Sequence, residues 1–212
     1  FVNKDDEQLV NLSNEISQEN YGLKSNLELR SISNKPFINI KWGEYILKSN
    51  LIGEYQYYNI ALAVCIGKHF KIPNETICIQ IKKYKPKNNR SQVINTKNNV
   101  VILDAYNANP SSMKAMICSF ANQNYDNELL ILGDMLELGA YSTNEHNLII
   151  SICKKLKLNF ILVGKEFSKV HKDSLEGIKE LCEFVKKNPI NNKTILIKGS
   201  RGISLELIVP FL

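Results

Sequence analysis

The amino-acid sequence predicts an α/β protein whose larger, C-terminal part is built around a parallel sheet. From residue 91 onward, four apolar runs alternate with amphipathic segments of helical periodicity: VVILDA, ELLILGD, NFILVG and TILIKGS. Strands that are apolar on both faces and separated by helices are typical of a parallel sheet covered on both sides. Residues 27–50 differ, because apolar and polar residues alternate there as in antiparallel strands. The chain therefore combines a mixed α/β segment with a parallel-sheet domain.

The mixed segment predicts a strand end, a short helix, an antiparallel hairpin or meander, and two longer helices. Residues 1–3 resemble the end of a strand, and DDEQLVNLSNEI follows as a helix with Asp5 or Asp6 as the expected N-cap. A Lys-Pro pair and a Trp-Gly pair mark turns in the alternating stretch. Apolar residues at helical spacing predict a helix over residues 55–70. An Ile-Pro pair ends it, and Asn74 is the expected cap of the next helix.

The best domain boundary lies in YKPKNNR, where a proline, charged residues and two asparagines separate two periodic segments. Residues 1–86 are expected to form the first domain and residues 87–212 the second. In the second domain a helix is expected after each strand: over 111–123, around STNEHNLIISICKKL, over 174–187 and over 204–212. The stretch after NFILVG is expected to be a loop. This alternation is typical of a Rossmann-like α/β domain.

Length and composition narrow the class of protein. A chain of 212 residues, 44% hydrophobic and 23% charged, has room for one large domain or two modest ones. The net charge of +6 fits a solvated surface or anionic ligands such as nucleotides, and no nucleic-acid-binding motif accompanies it. No apolar run is long enough to span a bilayer, so neither nucleic acid nor membrane is an expected partner.

The cysteines and the first residue carry two further expectations. Five widely spaced cysteines without a C-x-x-C pair predict free thiols in the core and a cytoplasmic protein. Because the chain begins FVNKDDEQ without an initiating methionine, we interpret it as a fragment of a longer protein.

Polar side chains follow the predicted parallel strands at the point where each strand ends. DAYNANP, GDMLELG, GKEF and KGSRG come after the first to the fourth strand in turn. Because the carboxyl ends of parallel strands face one crevice, these side chains are expected to converge on one edge of the sheet. Any one of them is equally well explained as a helix cap or a turn, as Ser112 is. Their combination predicts a binding site.

Three segments resemble the C-terminal domain of the Mur ligase family in their order and spacing: DAYNANPSSMKA, LILGDMLELG followed by STNEH, and ILIKGSRG. Upstream, VNKDDE and LIGEYQYYNIALAV are similar to the later part of that family's central domain. The resemblance covers essentially the whole chain, and the combination is specific where any single segment is weak. It implies that residues 1–86 are the C-terminal portion of a mixed α/β, P-loop-type ATP-binding central domain. Residues 87–212 are then the Rossmann-like C-terminal domain.

The resemblance implies an ATP-dependent ligase of peptidoglycan precursor synthesis. In this family ATP phosphorylates a peptide carboxylate, an amine attacks the resulting acyl phosphate, and phosphate leaves from a tetrahedral intermediate. The implied partners are ATP, UDP-N-acetylmuramoyl-tripeptide and D-alanyl-D-alanine, with Mg²⁺ as cofactor and the enzyme a monomer. The family's phosphate loop, carbamylated lysine and magnesium ligands are expected upstream of residue 1. No catalytic residue or metal ligand is therefore assigned, and the fragment alone is expected to be inactive.

The resemblance also implies the residues that bind ATP. Asn59 matches a residue that contacts adenine, and an amide both donates to and accepts from a base edge. Arg90 matches a linker arginine that helps hold the nucleotide across the closed cleft. Asp104 matches the aspartate that accepts hydrogen bonds from ribose hydroxyls. Tyr106 and Asn107 are expected to shape the same pocket.

A second set of residues is implied for the amino substrate. Asn109 is expected to lie toward the incoming dipeptide, and Lys198, Ser200 and Arg201 to approach the dipeptide and the acyl phosphate. The guanidinium group of Arg201 matches the D-alanyl-D-alanine carboxylate, since it donates two parallel hydrogen bonds. A strand-to-helix turn without a ligand is the alternative interpretation of KGSRG.

Three residues depart from the family pattern. Tyr55 and Gln56 stand where the family more often has His-Asn, and Asn89 stands where it has glycine before the linker arginine.

Several alternatives stay open from the sequence. Asp134 and Glu137 have the chemistry to attract a metal, although a wall of the dipeptide pocket is the favoured role for their loop. His146 is expected to be a structural residue in the first turn of a helix. Another Mur or folylpolyglutamate-type ligase is the second enzyme hypothesis. A non-catalytic Rossmann-like module that binds a nucleotide or a peptide is the contrasting class.

Overall fold

The structure is a computed structural model that describes residues 1–33 and 35–212. The chain divides into two compact units, Phe1–Lys85 and Pro86–Leu212. The sequence places this division between residues 86 and 87.

The first unit pairs small sheets with helices. Its elements are β1 (Val2–Asn3), α1 (Glu7–Leu12), β2 (Asn20–Tyr21), β3 (Leu29–Ser33), β4 (Asn39–Trp42), β5 (Tyr45–Lys48), α2 (Gln56–His69) and α3 (Asn74–Lys83). β1 and β2 pair in parallel, and β3, β4 and β5 form an antiparallel meander in that order. The predicted meander is confirmed, although residue 34 lies outside the described residues.

One face of the meander is buried against the helices of the first unit. Ile40 and Leu47 are fully buried, whereas Lys41 and Lys48 beside them are exposed. Residues of α2 and α3 complete the same cluster: Tyr57, Ile60, Ala61, Val64 and Ile77. The period-two alternation of the sequence thus becomes an inner and an outer face of the sheet.

The caps of the first unit follow the sequence with one exception. The carboxylate of Asp6 accepts the first free backbone N–H groups of α1, as expected of an N-cap. Asp5 instead accepts backbone N–H groups of the loop at residues 23 and 24. The expectation that Asn74 caps α3 is wrong by one position, because Pro73 lies at the N-cap and makes no side-chain cap bond.

The described residues of the second unit form a five-stranded sheet and four α-helices. In chain order the strands and α-helices are β6 (Gln92–Asn95), β7 (Val100–Asp104), α4 (Pro110–Ala121), β8 (Glu128–Gly133), α5 (Ser142–Lys155), β9 (Phe160–Val163), α6 (Lys165–Val170), α7 (Ile178–Lys187) and β10 (Thr194–Lys198). The strand order is β6-β7-β10-β8-β9. β7, β10, β8 and β9 run parallel, as predicted, and β6 pairs antiparallel with β7 at one edge.

Both faces of this sheet are covered. In β7 the consecutive residues Val101, Ile102 and Leu103 are at most 2% exposed, so neither side of the strand meets water. Leu181 and Val185 of α7 pack in the cluster that contains Val101 and Leu103. This double burial is why the parallel strands appear in the sequence as solid apolar runs.

Three elements of the second unit differ in type from the expectation, and the helix expected over 174–187 begins only at Ile178. β6 was not predicted, because its residues are only partly buried and its four residues are too short for a clear pattern. α6 replaces the expected loop after β9. The expected closing helix is a 3-10 helix, Leu205–Phe211, which contains Pro210. Proline lacks an N–H and disfavours α-helix in the preceding residues.

The five cysteines are free thiols, with Cys65 and Cys153 buried. Burial raises the pKa of the Cys153 thiol to about 12. Across residues 1–33 and 35–212, no helix has both the length and the apolar character needed to cross a bilayer.

Candidate functional site

The carboxyl ends of β7 and β10 lie side by side, and this places the DAYNANP and KGSRG motifs together. β7 ends at Asp104 and β10 at Lys198, and these two residues are paired in the strand register. The antiparallel strand β6 starts at the same edge, since Gln92 pairs with Leu103. Arg90 therefore also lies at this edge. The sheet topology therefore brings the segments around Arg90, Asp104 and Lys198 together at one edge of the sheet.

The carboxylate of Asp104 is the centre of this surface. Its Oδ2 accepts a hydrogen bond from Lys198 Nζ at 2.6 Å. Its Oδ1 accepts the backbone N–H of Ser91 at 2.9 Å and the Ser91 hydroxyl at 3.3 Å. The side chain of Asp104 is 16% exposed and that of Lys198 is 3% exposed. Asp104 is thus an oriented carboxylate with one side open to solvent.

Tyr106 brings two arginines to the same place. The guanidinium carbon of Arg90 lies 3.8 Å from the centroid of the Tyr106 ring, and that of Arg201 lies 5.5 Å from it. The Tyr106 backbone N–H donates to the carbonyl of Asn89 at 3.1 Å. Both arginines are exposed. Cations over an aromatic face keep their N–H donors available at the edges of the guanidinium plane, so this arrangement favours an anionic ligand.

The residue before Arg90 stands where the family pattern has glycine, and its backbone has a conformation that glycine adopts readily. Asn89 has φ +58°, in the left-handed region. Asparagine adopts this region more readily than most residues do, because its short amide bonds locally. The linker can therefore turn at Asn89 as it would at a glycine.

The two asparagines of DAYNANP have local roles. Asn107 Oδ1 accepts the backbone N–H of Ala108, and the Asn107 carbonyl accepts a bond from Lys198 Nζ at 3.3 Å. Asn109 is the N-cap of α4, since its Oδ1 accepts the Ser112 backbone N–H at 2.8 Å. The Ser112 hydroxyl accepts the Asn109 N–H in return, which completes a capping box. The helix-start interpretation of Ser112 is confirmed.

Ser200 links the ends of β10 and β8. Its hydroxyl oxygen accepts the Leu136 backbone N–H at 2.9 Å, and its own N–H donates to the Asp134 carbonyl at 3.0 Å. Ser200 is 5% exposed. Its contacts therefore hold the GDMLELG loop against the β10 end.

Asp134 and His146 are buried in a network at the neighbouring strand ends. The Asp134 carboxylate accepts the N–H groups of Glu166 and Phe167 at the start of α6. His146, fully buried, donates from Nδ1 to the Ser142 carbonyl at 2.7 Å and accepts the Met135 N–H at Nε2. With both ring nitrogens bonded to backbone, the structural interpretation of His146 is the one its contacts support.

The same network reaches the surface at Glu166. Hydrogen bonds from Lys169 and then from Ser142 lower the pKa of the Glu166 carboxyl. Across the described residues, no group of three or more His, Cys, Asp or Glu side chains is arranged to hold a metal ion. The Asp134 carboxylate contacts the backbone N–H groups at the start of α6. Glu137 is exposed.

Asn59 is the predicted site residue that belongs to the first unit. It is exposed in α2, and its Nδ2 donates to Gln56 Oε1 at 2.7 Å. Gln56, one of the residues that depart from the family pattern, is itself buried. The other eight predicted residues belong to the second unit.

The sequence did not single out Ser91. It precedes an unpredicted antiparallel strand, and only the pairing of β6 with β7 places its N–H against Asp104. A serine after a linker arginine carries no signal of its own.

Comparison with known proteins identifies the family. The model of the Mur ligase, glutamate ligase domain matches residues 89–201, more than half of the chain. UDP-N-acetylmuramoyl-tripeptide–D-alanyl-D-alanine ligase of Bacillus subtilis is 32% identical over 173 residues, which cover 75% of this chain and 38% of that protein. The ligase of the same name from Rickettsia prowazekii is 34% identical over 138 residues, covering 58% of this chain and 29% of that protein. The chain thus spans about two fifths or less of these relatives.

Solved structures share the fold. A UDP-N-acetylmuramoylalanyl-D-glutamyl-2,6-diaminopimelate–D-alanyl-D-alanyl ligase from Acinetobacter baumannii gives a TM-score of 0.80 at 19% identity, over 99% of this chain and 49% of that one. MurF ligase from Thermotoga maritima, solved in complex with ADP, gives 0.70 at 16% identity, over 95% of this chain and 50% of that one. With the family model matched over the strand ends that carry Asp104 and Lys198, this chain belongs to the Mur ligase family.

Proposed function

We propose that the chain is the later part of an ATP-dependent ligase that joins D-alanyl-D-alanine to UDP-N-acetylmuramoyl-tripeptide in peptidoglycan precursor synthesis. Relatives at 32% and 34% identity bear that name. The observation that carries the proposal is the oriented Asp104 carboxylate beside the Arg90–Tyr106–Arg201 stack, at one edge of the sheet. Because the chain covers only part of these relatives, the complete reaction is proposed for the longer protein.

Within that protein, residues 1–86 are the later portion of the central ATP-binding domain, and residues 87–212 are the C-terminal domain. The protein acts as a cytoplasmic monomer in this proposal.

The nucleotide is assigned to Asp104 and its neighbours. The open side of the carboxylate accepts a ribose hydroxyl, and Tyr106 and Asn107 shape the surrounding surface. A carboxylate has about four acceptor sites, and Ser91 and Lys198 use three in the absence of nucleotide. A second ribose hydroxyl therefore displaces the longest of these contacts, the Ser91 hydroxyl. Asn59 is assigned to adenine and Arg90 to the nucleotide as a whole.

The dipeptide is assigned to the end of β10. Arg201 is exposed and free to fork onto the dipeptide carboxylate. Ser200 holds the adjoining loop, and Asn109 presents its amide N–H₂ group at the start of α4 while its oxygen caps the helix. The sequence also predicts that Lys198 approaches the dipeptide and the acyl phosphate.

The chemistry explains why cations are needed here. A carboxylate is a poor acyl donor because its leaving group is oxide, and phosphorylation by ATP supplies a better one. The amine then bonds to the carbonyl carbon and loses one proton to the solvent, and the bond from that carbon to the phosphate oxygen breaks with release of phosphate. Both transition states are anionic, so Arg90 and Arg201 stabilise them by charge and hydrogen bonding. Mg²⁺ is the proposed cofactor of the longer protein, and no step is assigned to that ion on the residues of this chain.

The fold is shared with ligases of other substrates. A folylpolyglutamate synthase from Thermotoga maritima gives a TM-score of 0.66 at 15% identity. The substrate must therefore be decided by binding rather than by the fold.

The test measures binding of an ATP analogue and of D-alanyl-D-alanine to the 212-residue chain by calorimetry. Losing one charge-assisted contact costs about 1.5–3 kcal/mol, so we expect Arg201→Ala to weaken dipeptide binding roughly tenfold to a hundredfold. Asp104→Asn is expected to weaken nucleotide binding similarly. Arg30→Ala, at an exposed position of β3, is the matched control. Dipeptide binding that ignores Arg201→Ala, or nucleotide binding that ignores Asp104→Asn, contradicts the proposal.

A further inference from the structure

We infer that Lys198 is a positioning residue that orients the Asp104 carboxylate for the ribose, and that it does not contact the amino substrate. This inference rests on the proposed function, because it assigns Lys198 a part in nucleotide recognition through Asp104.

The first support is the geometry of the pair. Lys198 and Asp104 are the last residues of β10 and β7 and are register partners in adjacent parallel strands. Their backbones are fixed by the sheet, and the Nζ to Oδ2 distance is 2.6 Å. Because both residues of the ion pair lie at the ends of adjacent strands, the pair forms without the ordering of a loop. The pairing of the strands therefore sets the direction from which the ammonium group reaches the carboxylate.

The second support is burial. The Lys198 side chain is 3% exposed, and its ammonium group also donates to the Asn107 carbonyl at 3.3 Å. Two of its three N–H bonds thus point into the protein. Moving the ammonium toward a substrate would leave Asp104 without its charge partner in a largely buried position, which is unfavourable. Arg201, three residues further along the chain, is exposed and meets a substrate without such a cost.

The third support is that Asp104 is held from two sides. Lys198 binds Oδ2, while the Ser91 N–H binds Oδ1 at 2.9 Å. Donors on both oxygens fix the rotation of the carboxylate about its last bond. Without Lys198, one oxygen loses its partner and the carboxylate can turn. The ribose then meets a group that is no longer oriented for it.

The experiment compares ATP with 2′,3′-dideoxy-ATP on the 212-residue chain. If Asp104 accepts from the ribose, the native chain binds ATP more tightly by about tenfold or more, the value of one charge-assisted bond. Lys198→Met is expected to bring the two affinities to within about twofold, and Lys198→Arg to restore part of the preference. A general loss of structure weakens both nucleotides equally and leaves their ratio unchanged.

Two controls accompany the comparison. Lys193→Met removes a lysine just before the start of β10, at the opposite edge of the sheet, and is expected to keep the preference. Circular dichroism checks the fold of each variant. If Lys198→Met does not fold, Lys198→Gln replaces it, because it removes the ammonium group and shortens the side chain, and it is likewise expected to reduce the preference for ATP over 2′,3′-dideoxy-ATP.

A ligand-free readout separates this inference from the proposed function. The Ser91 amide, which is bonded to Asp104, is expected to exchange its hydrogen about tenfold faster in Lys198→Met, since a free-energy change of 1.4 kcal/mol is tenfold in an equilibrium. The Tyr106 amide, bonded to Asn89, is the internal reference for loosening of the segment.

The possible results distinguish a failure of the positioning role of Lys198 from a failure of the assignment of Asp104 to ribose. Unchanged Ser91 exchange, or a ribose preference that survives Lys198→Met while dipeptide binding is lost, overturns the positioning role. A native chain that shows no ribose preference refutes the assignment of Asp104 to ribose. In that case the exchange of the Ser91 amide alone decides whether Lys198 fixes the carboxylate.

Discussion

The Asp134 carboxylate lies so close to Gly164 that only a residue without a Cβ atom fits at position 164. The Asp134 carboxylate accepts two backbone N–H groups at the start of α6. A Cβ atom on Gly164 would overlap that carboxylate well inside van der Waals contact. Gly164 also has φ +129° and ψ 161°, a conformation almost restricted to glycine. At this residue, steric space and backbone freedom are both required.

We expect Gly164→Ala to lower the free energy of unfolding of the second unit by about 3 kcal/mol, from backbone strain and overlap together. Gly139→Ala is the matched control, because Gly139 has φ +54° and a Cβ atom there meets nothing within 4 Å. Its expected loss is about 1 kcal/mol, from the left-handed backbone alone. Urea unfolding of the two variants measures the difference. Equal losses contradict the role given to the Asp134 contact.

Residue types alone indicated some of the candidate site and not the rest. Asp104 was predicted because an apolar strand stops abruptly at a carboxylate. Its bonds to Ser91 and Lys198 were not predicted, although Lys198 was a predicted site residue, since Ser91 is 13 residues before it and Lys198 is 94 residues after it. Which donors meet which oxygen depends on strand register, and a single sequence does not contain the register. The ligand roles of these residues stay predictions.

At the scale of the element, α4 shows how one residue serves a helix and a site together. Asn109 closes the capping box with its oxygen, so helix stability and the presentation of its amide N–H₂ group depend on one side chain. Pro110 at the first helical position fixes the entry of the chain into the helix. The two roles use different atoms and can be separated.

We expect Asn109→Ala to destabilise the second unit by about 1 kcal/mol, because the cap is lost. Asn109→Asp keeps an acceptor for the Ser112 N–H and is expected to be as stable as the native chain. It removes the amide donor and adds a charge, so dipeptide binding is expected to fall in both variants. Thermal unfolding and calorimetry measure the two effects. Normal dipeptide binding in Asn109→Asp restricts Asn109 to the cap.

The elements differ in how far the sequence predicted them. The four parallel strands were predictable because double burial demands unbroken apolar runs. β6 was not, since a partly buried edge strand of four residues carries no such demand. The closing segment has helical spacing of Leu205 and Ile208, but Pro210 leaves it as a 3-10 helix. Local chemistry decided the type of helix where periodicity alone did not.

At the scale of the whole molecule, the closing segment completes the core of the second unit. Leu205 and Ile208 are fully buried, and Leu212 is 6% exposed, in the cluster that contains the parallel strands. The Leu212 carbonyl also accepts from Thr96 Oγ1 at 2.8 Å and Asn99 Nδ2 at 2.6 Å. The family model ends at residue 201, before these side chains. The folding unit therefore extends beyond the recognisable motifs.

This leads to a prediction about which piece of the chain folds alone. Each buried leucine or isoleucine contributes about 1.5–3 kcal/mol, so three of them approach the 5–15 kcal/mol that holds a whole domain together. We expect residues 86–212 to unfold cooperatively and residues 86–203 to lack a cooperative transition. In the longer piece, Ile208→Ala is expected to cost about 2–5 kcal/mol. Leu207→Ala, at a position that is 56% exposed, is the matched control and is expected to cost little. A cooperative transition in residues 86–203 would show that the strands and α-helices suffice, and that the closing segment only covers a core already formed.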